Sequence, residues 1–194
     1  QKVSSNPYMW MSSYERPSQP VISDINENCR ETLYAYDANN RVTATTIRAV
    51  DAGQINASTN AYEIHRQDIV TRNQYDGNGN LVKISRDQYD STGNRIQDTD
   101  PRAVVTWKYY DKNNNLRVQV DPERYVTYYS SYDTNNNFTN QVLFEKKVPD
   151  TTVLSTKTDW AQLIAGVPVG ADRKTGYVRD RLGRVTQQIN YAVA

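Results

Sequence analysis

Sulfur and imidazole are almost missing from this sequence: its 194 residues include one cysteine, Cys29, and one histidine, His65. A single thiol excludes an intrachain disulfide, and the two residues together exclude a Cys/His zinc cluster or any centre needing two imidazoles. Phenylalanine is also scarce, with two residues, and no apolar run reaches the ~18 residues of a membrane span. Neither sign of charge dominates: 23 Lys and Arg face 22 Asp and Glu for a net of +1. That balance gives no bulk attraction to nucleic acid or anionic membrane. With tyrosine set aside and glycine included, apolar residues make up about a third of the chain, against ~45–50% in ordinary globular domains. A thick aliphatic core is not expected. Gly-x-Ser-x-Gly, P-loop and dinucleotide fingerprints are all absent, as is a signal-peptide pattern at Gln1.

Tyrosine (15) and asparagine (19) are in excess, and the asparagines cluster at Asn39-Asn40, Asn113-Asn114-Asn115 and Asn135-Asn136-Asn137. Asparagine tolerates the left-handed backbone better than any other residue except glycine, so these tracts are turn chemistry. Tyrosine favours strands, packing one ring face while its hydroxyl reaches a polar partner. The alternation of the two describes a chain of hairpins.

A unit recurs along the chain: Tyr-Asp, two or three turn residues, Asn or Arg, then an aliphatic. It begins at Tyr36-Asp37, Tyr75-Asp76, Tyr89-Asp90, Tyr110-Asp111 and Tyr132-Asp133, with a degenerate copy at Arg179-Asp180. Most spacings lie near one or two multiples of ~20 residues, the signature of a repeat architecture in which each unit needs its neighbour to bury an apolar face. The Asp caps the turn through its side chain, Gly or Asn supplies positive φ, and the aliphatic starts the returning strand. Period-two alternation supports strands: Val105, Trp107 and Tyr109 share one face, as do Leu116, Val118 and Val120. Between the Tyr-Asp turns stand Asp100-Pro101 and Asp121-Pro122, which open turns of their own. The expected fold is all-β, with repeated antiparallel hairpins of ~20 residues in one continuous, twisting sheet.

The organisation that follows is an extended N-terminal arm over 1–30, a hairpin array over 31–145, an insertion over 146–174 and a final degenerate repeat over 175–194. Thr158, Asp159 and Gly166 bracket a short apolar run in the insertion and predict a helix near 158–165.

Tyr-Asp-x-x-Gly-Asn-Leu, a strand, Asp-Pro-x-Gly, another strand and the next Tyr-Asp is the pattern of RHS/YD-repeat proteins. This chain resembles it most over Thr99–Phe138 and also over Tyr75–Ile96. It departs where the turn Gly is often Asn and where both Asp-Pro turns lack Gly. The resemblance implies a non-enzymatic scaffold: a spiralling β-shell that encloses, displays or delivers a toxin or other cargo polypeptide, secreted or at a bacterial surface. Partners would be the rest of a larger RHS-type protein or neighbouring copies, joined through exposed edge strands, since at ~20 residues per hairpin this length is short for a closed shell. RHS-like proteins also resemble one another in a C-terminal core end with self-cleaving aspartyl activity. Its Pro- and Gly-bearing signature is not found here, so no catalytic residue is assigned, and no cofactor is expected.

The residues suggest three other chemistries. Asp76, Asp111 and Asp133 begin Asp-x-Asn-x-Asn loops that place oxygens as a calcium loop does, but Leu81, Leu116 and Phe138 occupy the position where such a loop needs Gly. Hairpin turns account for the same residues, and no metal site is assigned. Trp107, Tyr109, Tyr128 and Tyr129 are the rings that would stack on sugars in the alternative reading, a surface adhesion or carbohydrate-recognition module. Cross-strand aromatic pairing between adjacent repeats is the preferred explanation of the same rings. Asn56-Ala57-Ser58 and Asn137-Phe138-Thr139 match the N-glycosylation pattern. His65 falls on an alternating strand, and Cys29 sits in a polar stretch.

Overall fold

The computed structural model describes residues 31–55, 59–89, 95–100, 102–168 and 170–191. The N-terminal arm, Cys29 and the tripeptide Asn56-Ala57-Ser58 lie outside the described residues. Ten strands form one antiparallel sheet in which every strand pairs with its neighbours in chain order. They are β1 (Thr32–Tyr36), β2 (Val42–Ile55), β3 (Tyr62–Tyr75), β4 (Leu81–Arg86), β5 (Val104–Tyr110), β6 (Leu116–Val120), β7 (Tyr125–Tyr132), β8 (Phe138–Lys147), β9 (Arg173–Arg179) and β10 (Val185–Asn190). The sheet is open: β1 and β10 do not meet. Among the described residues a single helix, α1 (Trp160–Ala165), lies in the β8–β9 connection. Among the described residues no helix is long and apolar enough to cross a membrane.

A sequential meander gives the sheet two rims with different characters. Tyr-Asp turns at 37–41, 76–80, 111–115, 133–137 and 180–184 join β1–β2, β3–β4, β5–β6, β7–β8 and β9–β10, all on one rim. The other rim carries the connections of variable length, including 87–103, 121–124 and 148–172. The 22-residue spacing from Tyr110 to Tyr132 is the bare unit, and the longer spacings come from additions on this second rim.

Tyr89 departs from the expected array. It pairs with Arg95 in an isolated bridge, at the same six-residue separation as Tyr75 and Leu81. That bridge lies in the β4–β5 connection on the second rim, so Tyr89 does not mark an array turn, and Asp90 lies outside the described residues. The short spacing of Tyr89 from Tyr75 thus belongs to the β4–β5 connection and not to the array.

The core is one-sided. Val105, Trp107 and Tyr109 of β5, Val118 and Val120 of β6 and Val126 of β7 are buried beneath Val148, Leu154, Leu163 and Val167 of the β8–β9 connection. Val118 and Val120 are fully buried, while all of β1 is exposed, because only the central strands are covered. Helix α1 starts where Asp159 accepts from the Ala161 N–H at 2.9 Å, and it turns Leu163 into the core. Gly166 ends the helix with φ −87°, so the stop does not use a left-handed residue.

Leu116 does not share the face of Val118. Tyr110 pairs with Leu116 but Tyr109 pairs with Val118, so Arg117 is an extra residue in β6. This bulge places Leu116 opposite Tyr110, on the far face of the sheet from Tyr109. Equivalent shifts leave Thr43, Val82, Thr139 and Thr186 as the extra residues of β2, β4, β8 and β10. A bulge in every returning strand adds twist at the same level of the sheet.

Candidate functional site

The repeated turn is the most regular feature of the molecule. In each one the Asp N–H bonds the carbonyl four residues on at 2.9–3.0 Å, and the residue three on donates to the Asp carbonyl at 3.0–3.1 Å. This is a three-residue hairpin loop closed by a left-handed residue. That residue is Asn40 (φ 60°), Gly79 (90°), Asn114 (62°), Asn136 (60°) or Gly183 (78°). One oxygen of each of Asp37, Asp76, Asp111, Asp133 and Asp180 accepts two backbone N–H groups at 2.8–3.0 Å. The second oxygen accepts from the next conserved-type position of the unit: Arg41, Asn80, Asn115, Asn137 or Arg184, at 2.7–3.3 Å. Asn and Arg recur there because both donate a side-chain N–H.

These bonds favour the charged carboxylate, and all five pKa values are lowered. At Asp37 and Asp133 the leading cause is a backbone N–H, from Arg41 and Asn137, and at Asp180 it is the Arg184 guanidinium. At Asp76 and Asp111 burial opposes the shift but is outweighed by hydrogen bonds from Asn80, Asn78, Asn115 and Asn113. The calcium-like spacing is explained by these turns: the carboxylate oxygens face donors.

The tyrosines that open the three inner units, Tyr75, Tyr110 and Tyr132, tie neighbouring hairpins together. Tyr75 Oη donates to the Val42 carbonyl and Tyr110 Oη to the Leu81 carbonyl, both at 3.1 Å, and Tyr132 Oη donates to the Leu116 carbonyl. Each acceptor is the aliphatic that follows the preceding array turn. The ladder to the next strand begins only two residues further on, at Ala44, Lys83 and Val118, and beyond its end the phenol supplies a donor to the carbonyl. The turns also touch directly: Asn78 and Asn80 donate to Asn114 Oδ1 at 3.0 and 2.9 Å. In the last unit Arg179 replaces Tyr, and its guanidinium lies 5.4 Å from the Phe138 ring centroid.

The second rim fastens the insertions. Arg124 occupies the Gly position of the Asp121-Pro122 turn and takes φ 72°. Its guanidinium donates to the carbonyls of Val148, Pro149 and Thr152 at 3.1, 2.7 and 2.8 Å, so the residue that strains the turn also holds the insertion down. In the Asp100 turn the carboxylate accepts the Arg102 N–H at 2.8 Å, and the Arg102 guanidinium holds Asp100 down at about 2. A five-residue network of Arg72, Asp87, Arg95, Asp98 and Lys83 joins the β4–β5 connection to β3 and β4. The cleft between the Asp100 and Asp121 turns has a volume of about 20 Å³, room for roughly one water.

The four rings proposed for sugar stacking separate. Trp107 and Tyr109 are 6% and 4% exposed and lie under the insertion, so their faces are taken by the core. Burial pushes the Tyr109 phenol up to about 12. Tyr128 stacks on Trp160 at 6.2 Å, beside Arg117, and Tyr129 meets Phe138 edge-on at 5.1 Å. His65 pairs with Ala52 in the β2–β3 ladder. Asn137 of the glycosylation-like tripeptide donates its amide to Asp133. Among the described residues no group of three His, Cys, Asp or Glu could hold a metal ion.

No protein-family model and no curated protein matches the sequence. Solved structures overlap it locally. A TcdB2-TccC3-Cdc42 structure shares 14% identity over 82% of this chain and 11% of that chain, with a TM-score of 0.25. A TcdB2-TccC3 structure without its hypervariable C-terminal region shares 13% over the same fractions, also with a TM-score of 0.25. A Tc holotoxin pore from Photorhabdus luminescens shares 13% over 82% of this chain and 10% of that chain, again at 0.25. The chain spans about a tenth of the length of these proteins.

Proposed function

We propose that this chain is a non-enzymatic structural segment of a YD-type β-shell, which encloses, displays or delivers a cargo polypeptide in a secreted or surface-borne assembly. The observation that carries the reading is the five-fold turn, with its tyrosine bridges to the preceding hairpin. Its polar residues are spent on turn closure and its tyrosines on joining hairpins, which is what an extensible wall requires. Sheet edges at β1 and β10 are the places where further wall would join, from the rest of a larger polypeptide or from another copy.

Limited proteolysis of the intact natural polypeptide that carries this sheet tests the proposal. The expected result is a protease-resistant segment that stays with the sheet after cleavage and becomes sensitive when the sheet is melted. A polypeptide with no protected segment besides the sheet contradicts it. A sugar titration followed by tryptophan fluorescence tests the carbohydrate-recognition alternative, in which Trp107 and Tyr109 no longer offer exposed rings.

A further inference from the structure

The internal hairpin-to-hairpin interface obeys a register rule. Counting from the opening residue of each unit, the residue eight positions on pairs with the residue three before the next opening residue: Ala44 with Arg72, Lys83 with Trp107, Asn140 with Gly176. Only the β6–β7 junction departs, by one, where β7 carries its own irregularity. Both halves of this interface are left over at the sheet's edges. Tyr36 has the role of Tyr75 and Tyr110, yet it is 55% exposed and, among the described residues, its hydroxyl has no acceptor. Val185 has the role of Val42 and Leu81, at the open side of β10.

Among the described residues neither edge carries the usual protection. The edge strands Thr32–Tyr36 and Val185–Asn190 contain no charged residue and no proline, whereas unpaired edges in soluble proteins are normally blunted by such residues. Leu33, Tyr34 and Tyr36 on β1 and Val185 on β10 are exposed.

We infer that the β10 edge of this chain takes the β1 edge of a second copy, head to tail, with Gln187 opposite Leu33, Gln188 opposite Thr32 and the Tyr36 hydroxyl on the Val185 carbonyl. The inference rests on the repeat reading. The backbone parity agrees with it. Tyr191 N–H bonds Lys174 O and Arg48 N–H bonds Glu31 O. By alternation, Gln188 and Thr32 turn their backbone groups outward, ready to exchange hydrogen bonds, while Gln187 and Leu33 form a non-hydrogen-bonded pair. Because the two surfaces differ, the contact is heterologous, and further copies can add.

Sedimentation velocity over a concentration series and disulfide trapping test this together. On a Cys29→Ser background, Leu33→Cys with Gln187→Cys places two thiols on a non-hydrogen-bonded pair, where Cα atoms stand about 4.5 Å apart, within disulfide reach. Expected are concentration-dependent association of the unmodified chain and a covalent ladder on mild oxidation. Leu33→Cys with Ile189→Cys, out of register, forms none. Tyr36→Phe weakens association by about three- to tenfold. Gln188→Pro removes only an outward N–H and abolishes association while the far-UV spectrum of the monomer is retained. A chain that stays monomeric at every concentration, or that cross-links equally in and out of register, overturns the inference. If Gln188→Pro fails to fold, the cysteine pair still decides. A monomer whose turns keep their order along one rim removes the head-to-tail contact and leaves the repeat reading intact; turns that scatter remove both.

Discussion

The hydroxyl of Tyr110 donates to the carbonyl of Leu81 at 3.1 Å, across the gap between two successive hairpins. Leu81 itself follows the Asp76 turn, so one bond ties the opening residue of one unit to the exit of the unit before it. The same relation links Tyr75 to Val42, where the Asn73 amide shares the acceptor at 3.0 Å.

Removing these hydroxyls has graded effects. Tyr110→Phe leaves a half-buried carbonyl without a side-chain donor and costs about 1 kcal/mol. Tyr75→Phe costs less than half of that, since Asn73 still serves Val42, and Tyr36→Phe leaves monomer stability unchanged. Urea unfolding at a protein concentration too low for association ranks the three.

Arg124 carries two opposed contributions. Arg124→Ala keeps a side chain at positive φ and loses the three carbonyl contacts; Arg124→Gly loses the contacts but relieves the backbone. The Ala variant is therefore less stable than the Gly variant by about 1 kcal/mol. In both, hydrogen exchange of residues 148–167 accelerates more than that of β2 and β3.

The left-handed position tolerates asparagine as well as glycine. Gly79 has φ 90°, so Gly79→Ala costs about 1 kcal/mol, whereas Gly79→Asn stays within about 0.5 kcal/mol because Asn40, Asn114 and Asn136 hold the equivalent place. Gly77→Ala meets open space and is neutral. Thermal melts of the three variants check the order.

The turn carboxylates make the sheet acid-sensitive. Their folded pKa values lie below the ordinary 3.8, so they stabilise the folded state fully above about pH 4. That contribution is lost as pH falls through the folded values. Stability is expected to be flat from neutral pH to about pH 5 and to fall below about pH 4. Asp111→Asn keeps an acceptor for the turn N–H groups but does not titrate, so its stability falls less steeply with acid than the parent's.

The hairpin array, the helix cap at Asp159 and the shared face of Val105, Trp107 and Tyr109 were legible because each depends on local chemistry: a turn residue, a cap, a period of two; that this face is buried under the β8–β9 connection was not. The Asp side chain's role in the turn followed from its position as well. What each tyrosine hydroxyl reaches was not legible, since Leu81 is 29 residues from Tyr110 and the contact exists only once the register is set. The bulges were missed for a related reason. An extra residue in a strand leaves alternation looking regular, so Leu116 reads as a face-mate of Val118. Thr at three of the five bulge positions was the available signal; Thr43 and Thr186 each bond a carbonyl across the hairpin at 3.3 and 3.2 Å. Tyr89-Asp90 misled because the dipeptide alone does not say which rim it serves; the bridge from Tyr89 to Arg95 falls in the β4–β5 connection, and only the strand order shows that. The absence of Gly at Arg124 was visible as a departure, but its compensation lies in carbonyls 24 to 28 residues away.

Spin-label distances between the array turns test the account most directly. Labels at Ala38, Asn78, Asn113, Asn135 and Arg181 sit on successive turns, each two strands beyond the last, or about 10 Å along a flat sheet and somewhat less along a coiling one. Distances measured from Ala38 should rise in chain order, while a label at Glu123 reports the opposite rim. Distances that fail to rise in that order, or that place the Asn113 turn nearer Glu123 than Asn78, contradict a single sheet with all five array turns on one side.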